Sequence, residues 1–459
     1  MARTFDAIVI GAGQAGPSLA ARIAESGQRV ALIERKFLGG TCVNTGCMPT
    51  KAMVASAHAA HLARRAADYG VIIGGPVGID FRAVMARKGK VTLDARQGLD
   101  DWLRPMENCT LMSGHARFVA PHEIEVGGER LSAEKIFLNV GGRASVPDIP
   151  GVDAVPFLTN SSILALDTLP RHLIVIGGSY IGLEFGQMFR RFGADVTIIE
   201  KNPRLVPRED EDVSAAIADV LAREGIGIRL NASCIGLERH GGEVGVRVDC
   251  RDGPPAIVGS HILLAIGRRP NTNDLGLDRA GVETDERGYI LVGDKLETNV
   301  PGIWALGDCN GRGAFTHTSY DDFEIAAANL LDGEDRRVSH RHPVYALYTD
   351  PPLGRIGMTE ADAERAGRRV LVGKRPMTRV GRAVEKGETL GFMKVIADAE
   401  TGGLLGAAIL GVGGDEAVQT MIDALYAATS VSALRQAVHI HPTVSELIPT
   451  VLGALAPPA

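Results

Sequence analysis

The chain has 459 residues, too many for one hydrophobic core of ordinary size, so several domains are expected. Charged residues make up 23% and apolar residues 45%, which excludes disorder, and a net charge of −6 with scattered Lys and Arg excludes a nucleic-acid footprint. No apolar run is long enough to span a bilayer, and MARTFDAIVIGAG leads into a strand pattern without signal-peptide architecture, so a cytoplasmic protein with no membrane partner is expected.

The first predicted unit is AIVIGAGQAGPSLAARIAESGQRVALIE, from Ala7 to Glu34. An apolar β-rich run meets Gly11, Gly13 and Gly16, a helical stretch follows, and a second apolar strand ends in an acid. The first glycine permits a tight turn, the second lets backbone approach a pyrophosphate, and the third lets helix pack on strand. The helix N-terminus then faces the phosphates, and Glu34 is placed to accept from a ribose.

Next comes GGTCVNTGCMPTK, with Cys42 and Cys47 separated by four residues. This spacing fits neither a CxxC redox motif nor a zinc knuckle. Cys109, Cys234, Cys250 and Cys309 are isolated in sequence, and His58 and His61 read as a solvated helix face, so no metal site is predicted. Pro49 and KAMVASAHAAHLARR look like the opening of a helix. Cys47 near its N-terminus would have a stabilised thiolate, making the pair a usable dithiol.

After SVPDIPGVD, which reads as a linker, the first pattern returns in LIVIGGSYIGLEFGQMFRRFGADVTIIE. Gly177, Gly182 and Glu200 stand where Gly11, Gly16 and Glu34 stood, while Ser179 replaces the middle glycine. Glu200 would repel the 2′-phosphate of NADP(H) and favours NAD(H), although Lys201 and Arg204 leave NADP(H) open. Further on, GFMKVIAD and LLGAAILG suggest antiparallel strands and DEAVQTMIDALYAAT a helix.

GGTCVNTGCMPTK, the two dinucleotide signatures, LAIGRRPNT, IWALGDCNG and HIHPTVSE together resemble the FAD-dependent pyridine nucleotide-disulfide oxidoreductases, over essentially the whole chain. This is the family of dihydrolipoamide dehydrogenase, glutathione reductase and mercuric reductase. The resemblance implies an α/β fold with two Rossmann-like dinucleotide-binding domains and a C-terminal α+β dimerisation domain. The expected divisions are 1–146 for FAD, 147–269 for NAD(P)H, 270–340 as a central segment returning to FAD, and 341–459 for dimerisation.

By the same resemblance, hydride passes from NAD(P)H to FAD and electrons pass on to a Cys42–Cys47 disulfide. Cys47 would lie next to the flavin and Cys42 would attack the substrate. His441, oriented by Glu446 and contributed by the other subunit of a homodimer, would be the base. Lys51 would pair with Glu184 near the flavin, and Tyr180 would gate the nicotinamide. Asp308 would hold the ribityl chain, with Thr316 and His317 over the flavin ring; Thr41, Gly141 and Gly267 join the cofactor-binding set.

The acceptor implied is a small disulfide, dithiol or oxidant. The tail TVLGALAPPA has no cysteine pair of the kind mercuric reductases carry, HPTVSE is kept, and no N-terminal metal-binding domain is expected. FTHTSYDDFEIAAANLL and YTDPPLGRIGMTE resemble a stress-response branch near mercuric reductase-like and hypothiocyanous acid-type reductases. Authentic dihydrolipoamide dehydrogenase, a soft-metal reductase, a flavin oxidase or transhydrogenase, and a non-enzymatic FAD-holding subunit remain as alternatives.

Overall fold

In the computed structural model, all four side chains of the strand Ala7–Ile10 are buried, as a continuous apolar run covered on both faces requires. The structure describes residues 2–233, 235–249 and 254–458, so Cys234 and Cys250 lie outside the described residues. The chain divides into two units. One comprises Met1–Ala52, Ala83–Ser145 and Gly267–Arg341; the other comprises Met53–Arg82, Val146–Ile266 and His342–Ala459.

The first unit is built on a parallel sheet in the order Ile303–Ala305, Lys135–Leu138, Ala7–Ile10, Val30–Glu34, Cys109–Ser113. The helix Ala15–Glu25 connects two adjacent strands and buries Leu19, Ala20 and Ile23 in the core beneath. Ala7–Ile10 is central, so its glycine turn opens at the carboxyl end of the sheet, where open α/β sheets bind ligands.

The second unit repeats the arrangement with Gly227–Arg229, Asp195–Ile199, His172–Ile176 and His261–Leu264 in parallel order and the helix Tyr180–Phe192 after the turn. It also holds an antiparallel sheet in the order Val344–Leu347, Leu353–Gly357, Leu404–Leu410, Phe392–Asp398, Val370–Pro376. Two Rossmann-like sheets and a C-terminal antiparallel sheet with helices make up the expected α/β architecture.

GFMKVIAD and LLGAAILG do pair antiparallel, with Met393 opposite Ile409. Their alternation does not mark a wet face, however, because every residue of Phe392–Asp398 is buried. Lys394, 1% exposed, is accommodated because its ammonium pairs with Asp210, Asp212 and Glu360. The helical DEAVQTMIDALYAAT segment divides into Gly414–Ala417 and Gln419–Tyr426.

Candidate active site

The first glycine turn excludes side chains by backbone contact. Gly11 has φ +103°, and a Cβ there would meet the Asn139 carbonyl oxygen at 2.2 Å; a Cβ on Gly16 would meet the Gly11 carbonyl oxygen at 2.1 Å. Asn139 fixes the turn: Gly16 N–H donates to its Oδ1 at 3.0 Å, and its Nδ2 donates to the Leu306 carbonyl at 3.0 Å. The helix that follows has no acidic residue in its first turn; Gly16 N–H is taken by Asn139 and Pro17 carries none, so it is chiefly the positive dipole end that faces an anion.

Glu34 accepts from Ala12 N at 2.9 Å through Oε2 and from Lys36 N at 2.8 Å through Oε1. A carboxylate has about four acceptor positions, so about two remain for ribose hydroxyls. A positive helix end, a side-chain-free turn and a pinned carboxylate with spare lone pairs fit the adenosine diphosphate half of a dinucleotide.

Beyond Glu34 the chain folds back onto this turn. Gly39 N–H donates to the Ala12 carbonyl at 2.8 Å, and Gly40 comes so close that its Cβ would lie 2.7 Å from the Gly13 Cα. The short helix Gly40–Thr45 carries Thr41 and Cys42; Gly46 ends it, and Cys47 opens the helix Cys47–Arg64. This break brings the sulfurs together. The Cys42 thiol is hydrogen-bonded to Cys47, and Cys47 Sγ lies 3.0 Å from Thr316 Oγ1. The bond to Cys47, with burial and the charge of Cys47, pushes the Cys42 thiol well up, against smaller opposing effects of Thr316 and Lys51. Cys42 therefore holds its proton until a base removes it, while Cys47 sits at the positive end of a helix.

Other described cysteines are poor candidates for this chemistry. Burial pushes Cys309 up to about 12, with its Sγ donating to the Leu138 carbonyl at 3.3 Å, and burial raises Cys109 as well.

Around the pair, Arg268 Nη2 donates to the Gly142 carbonyl at 2.7 Å and to Asp308 Oδ2 at 3.2 Å, and lies 3.5 Å from Thr41 Oγ1. Gly141 at φ +64° and Gly267 at φ +121° have open space where a Cβ would project. His317 stacks on Phe315, with centroids 5.3 Å apart. The first unit thus gathers Thr41, Cys42, Cys47, Lys51, Gly141, Gly267, Asp308 and Thr316. Sequence reasoning missed Asn139 and Arg268. Asn139 had one signal, a polar residue closing the apolar run KIFL; Arg268 stood inside the quoted LAIGRRPNT string.

In the second unit Gly177, at φ +116°, and Gly182 repeat the exclusion, with Cβ positions 2.3 Å from the Ala265 oxygen and 2.0 Å from the Gly177 oxygen. Ser179 has extended backbone at φ −119° and no side-chain cap bond, which explains why a Cβ is tolerated there. Glu200 is buried; its Oε2 accepts from Gly178 N at 2.7 Å, and its Oε1 accepts from Asn202 N at 2.9 Å and Asn202 Nδ2 at 2.6 Å. Tyr180 opens the following helix, and Glu184, buried within it, accepts from Tyr348 N at 3.0 Å.

This unit also holds His441, whose Nδ1 lies 2.9 Å from Glu446 Oε2; the imidazole is 78% exposed and the carboxylate 16%. His58 and His61 lie on a face that is only partly solvated. His58 Nδ1 hydrogen-bonds Asp350 Oδ2 at 2.7 Å beside the buried Arg191, and burial lowers His61.

Residues 5–322 match the pyridine nucleotide-disulphide oxidoreductase family, and residues 344–452 match its dimerisation domain. The chain belongs to this family. Probable pyridine nucleotide-disulfide oxidoreductase RclA of Escherichia coli is 36% identical over 96% of this chain and 97% of its own length. A dihydrolipoyl dehydrogenase of Thermus scotoductus is 34% identical over 97% and 96%. The solved Cu(II) complex of the HOCl-induced flavoprotein disulfide reductase RclA from Escherichia coli is 34% identical, with a TM-score of 0.89 over 99% of each chain.

As a family member the protein is an FAD-dependent oxidoreductase that uses NAD(P)H, and its dimerisation domain indicates a homodimer. Among the described residues no helix is long and apolar enough to cross a membrane.

Proposed function

We propose that Cys42 and Cys47 are the redox pair of this oxidoreductase, reduced at the expense of NADH and reoxidised by a small disulfide or oxidant in the cytoplasm. The observation that carries this reading is the seating of the pair: Gly39 and Gly40 press its helix onto the first glycine turn, against Ala12 and Gly13. FAD, when bound, supplies a two-electron carrier between a nicotinamide and a disulfide.

Gly11, Gly13, Gly16 and Glu34 would hold its adenosine diphosphate half, with Thr41, Lys51, Gly141, Gly267, Asp308 and Thr316 around the remainder. The first unit is accordingly assigned to FAD, and the second to NAD(P)H and dimerisation. Gly177, Ser179, Tyr180, Gly182 and Glu200 would receive the nicotinamide dinucleotide. The buried Glu200 carboxylate, held by Gly178 and Asn202, favours a free 2′-hydroxyl over a phosphate and hence NADH.

Reduction breaks the sulfur–sulfur bond with two electrons and two protons, and the acceptor takes both back as the bond re-forms. Cys42, whose proton is held tightly, needs a base before it attacks. His441 of a second copy fills that role: with Nδ1 donating to Glu446, Nε2 is left to accept the proton. Lys51 and Glu184 form the remaining proposed pair beside the flavin.

The likeness to RclA, an HOCl-induced reductase solved as a Cu(II) complex, supports an oxidant or a thiol-binding metal ion as acceptor. The His441–Glu446 pair together with the dihydrolipoyl dehydrogenase likeness favours a second reading, a dihydrolipoamide substrate. Anaerobic NADH added to the FAD-loaded protein should release both thiols to a thiol reagent in the wild type and neither in Cys42→Ser/Cys47→Ser. Undiminished turnover of the double variant with its best acceptor would overturn the reading. Parallel assays with lipoamide, glutathione disulfide, hypothiocyanite, Cu(II) and Hg(II) identify that acceptor.

A further inference from the structure

Tyr345 belongs to none of the motifs that define the site, yet it touches the dinucleotide turn of the second unit. We propose that Tyr345, anchored by Glu209, is a positioning residue for the nicotinamide dinucleotide: its hydroxyl fixes Tyr180 at the head of the helix that faces that ligand. The inference rests on the reading that this turn binds NAD(P)H.

Tyr180 follows Ser179 in the turn, and its ring stands edge-on to that of Tyr345, with centroids 5.5 Å apart at 82°. This edge-on contact brings the Tyr345 hydroxyl to act on that of Tyr180. Tyr345, in the strand Val344–Leu347, donates its own proton to Glu209 Oε1. With that proton committed, its oxygen remains as an acceptor, and the proposed link runs from Tyr180 through Tyr345 to the carboxylate. Burial and the Glu209 charge push Tyr180 up to about 12, so the link stays protonated through the physiological range.

Glu209 is 2% exposed and is not closed off by a hydrogen-bonded ion pair. Among the described residues its Oε2 has no hydrogen-bond partner, and Arg355 Nη1 stands 3.9 Å away. Arg355 lies opposite Tyr345 in the antiparallel ladder and is 1% exposed. The Tyr345 hydroxyl is thus the group that holds Glu209 directly.

The loop that carries Glu209 is fastened to the same turn. Val206 N–H donates to the Gly178 carbonyl at 2.8 Å, and Val206, a β-branched residue, sits at φ +39°. Such a conformation persists where surrounding contacts over-determine it. Gly178, Val206, Glu209, Tyr345 and Tyr180 therefore close a ring around the turn. Releasing one link frees Tyr180 to rotate, and the dinucleotide must then order it on binding.

The test is NADH binding by anaerobic calorimetry to the dimeric, FAD-loaded protein reduced beforehand with dithionite, with Tyr180→Phe, Tyr345→Phe and the double variant. Each single change keeps its ring and should weaken binding about three- to tenfold, the scale of one lost hydrogen bond. The double variant should bind no more weakly than either single one, because both remove the same link. Glu209→Gln keeps an acceptor for Tyr345 and should bind within about twofold of wild type. In turnover the Tyr345→Phe effect should fall on KM for NADH and leave kcat within about twofold. Additive single effects, or variants that bind like wild type, overturn the inference alone. A wild-type protein that binds neither NADH nor NADPH overturns the reading of the site and this inference with it.

Discussion

A pair of thiols acquires a direction when its two sulfurs hold their protons differently, and here neighbours impose the difference: Cys42 is held protonated by its bond to Cys47, and Cys47 stands at a helix N-terminus. His58 shows the same control further along the helix Cys47–Arg64. Its hydrogen bond to Asp350 raises its pKa against the opposing effect of burial, with Glu388 assisting and Arg191 opposing. Although burial favours the neutral acid, His58 and Arg191 hold the Asp350 carboxyl well below the usual range. A histidine raised on folding stabilises the fold fully below its unfolded pKa of about 6.5, and that contribution is lost as pH rises through the folded value. Wild type should therefore lose stability relative to His58→Gln as pH rises from about 6 to 8, by less than about 1 kcal/mol because the imidazole is partly solvated. Calorimetric scans of the two proteins across that range check it; equal slopes would remove the His58–Asp350 contribution.

At the scale of elements, two glycine turns use one device for two ligands, so they should fail separately. A Cβ on Gly16 or Gly182 would press a backbone carbonyl at 2.1 or 2.0 Å, and an overpacked contact of that kind costs on the order of 1–3 kcal/mol. Gly16→Ala is expected to purify with little FAD, whereas Gly182→Ala should keep its flavin absorbance and need at least about tenfold more NADH for its reduction. Flavin absorbance followed by an NADH titration distinguishes them. Both turns were legible in the sequence because strand, glycine, helix and acid follow one another locally. The antiparallel pairing of Phe392–Asp398 with Leu404–Leu410 was legible for the same reason, although the burial of both faces was not. Asn139, Arg268, Tyr345 and Arg355 were not singled out because their partners lie far away along the chain. The pairing of His58 with Asp350 was not legible because a carboxylate far along the chain leaves no trace in the helix's own periodicity.

At the scale of the whole molecule, the exposure of His441 calls for a second chain. The imidazole is 78% exposed although its Glu446 partner is 16%, and the flanking apolar side chains of Val438 and Ile440 are 100% and 81% exposed. Residues 344–452 match the family's dimerisation domain, and in a symmetric dimer the same patch is covered on both subunits. If His441 of one subunit serves Cys42 of the other, a chain lacking the base and a chain lacking the thiol each form an inactive homodimer. A mixed dimer of His441→Gln with Cys42→Ser behaves differently: one of its sites pairs an intact Cys42 with an intact His441, and the other carries both lesions. Random assembly from equal amounts places these mixed dimers at about half of the total, so about a quarter of wild-type disulfide reduction should return on co-expression. If the two groups instead met within one chain, every site in the mixture would carry one lesion and the activity would stay at the level of the separate variants. Co-expression with distinct affinity tags, isolation of the doubly tagged dimer and a disulfide-reduction assay distinguish these outcomes. NADH reduction of the flavin in the same samples, which needs neither group, should remain near wild type throughout.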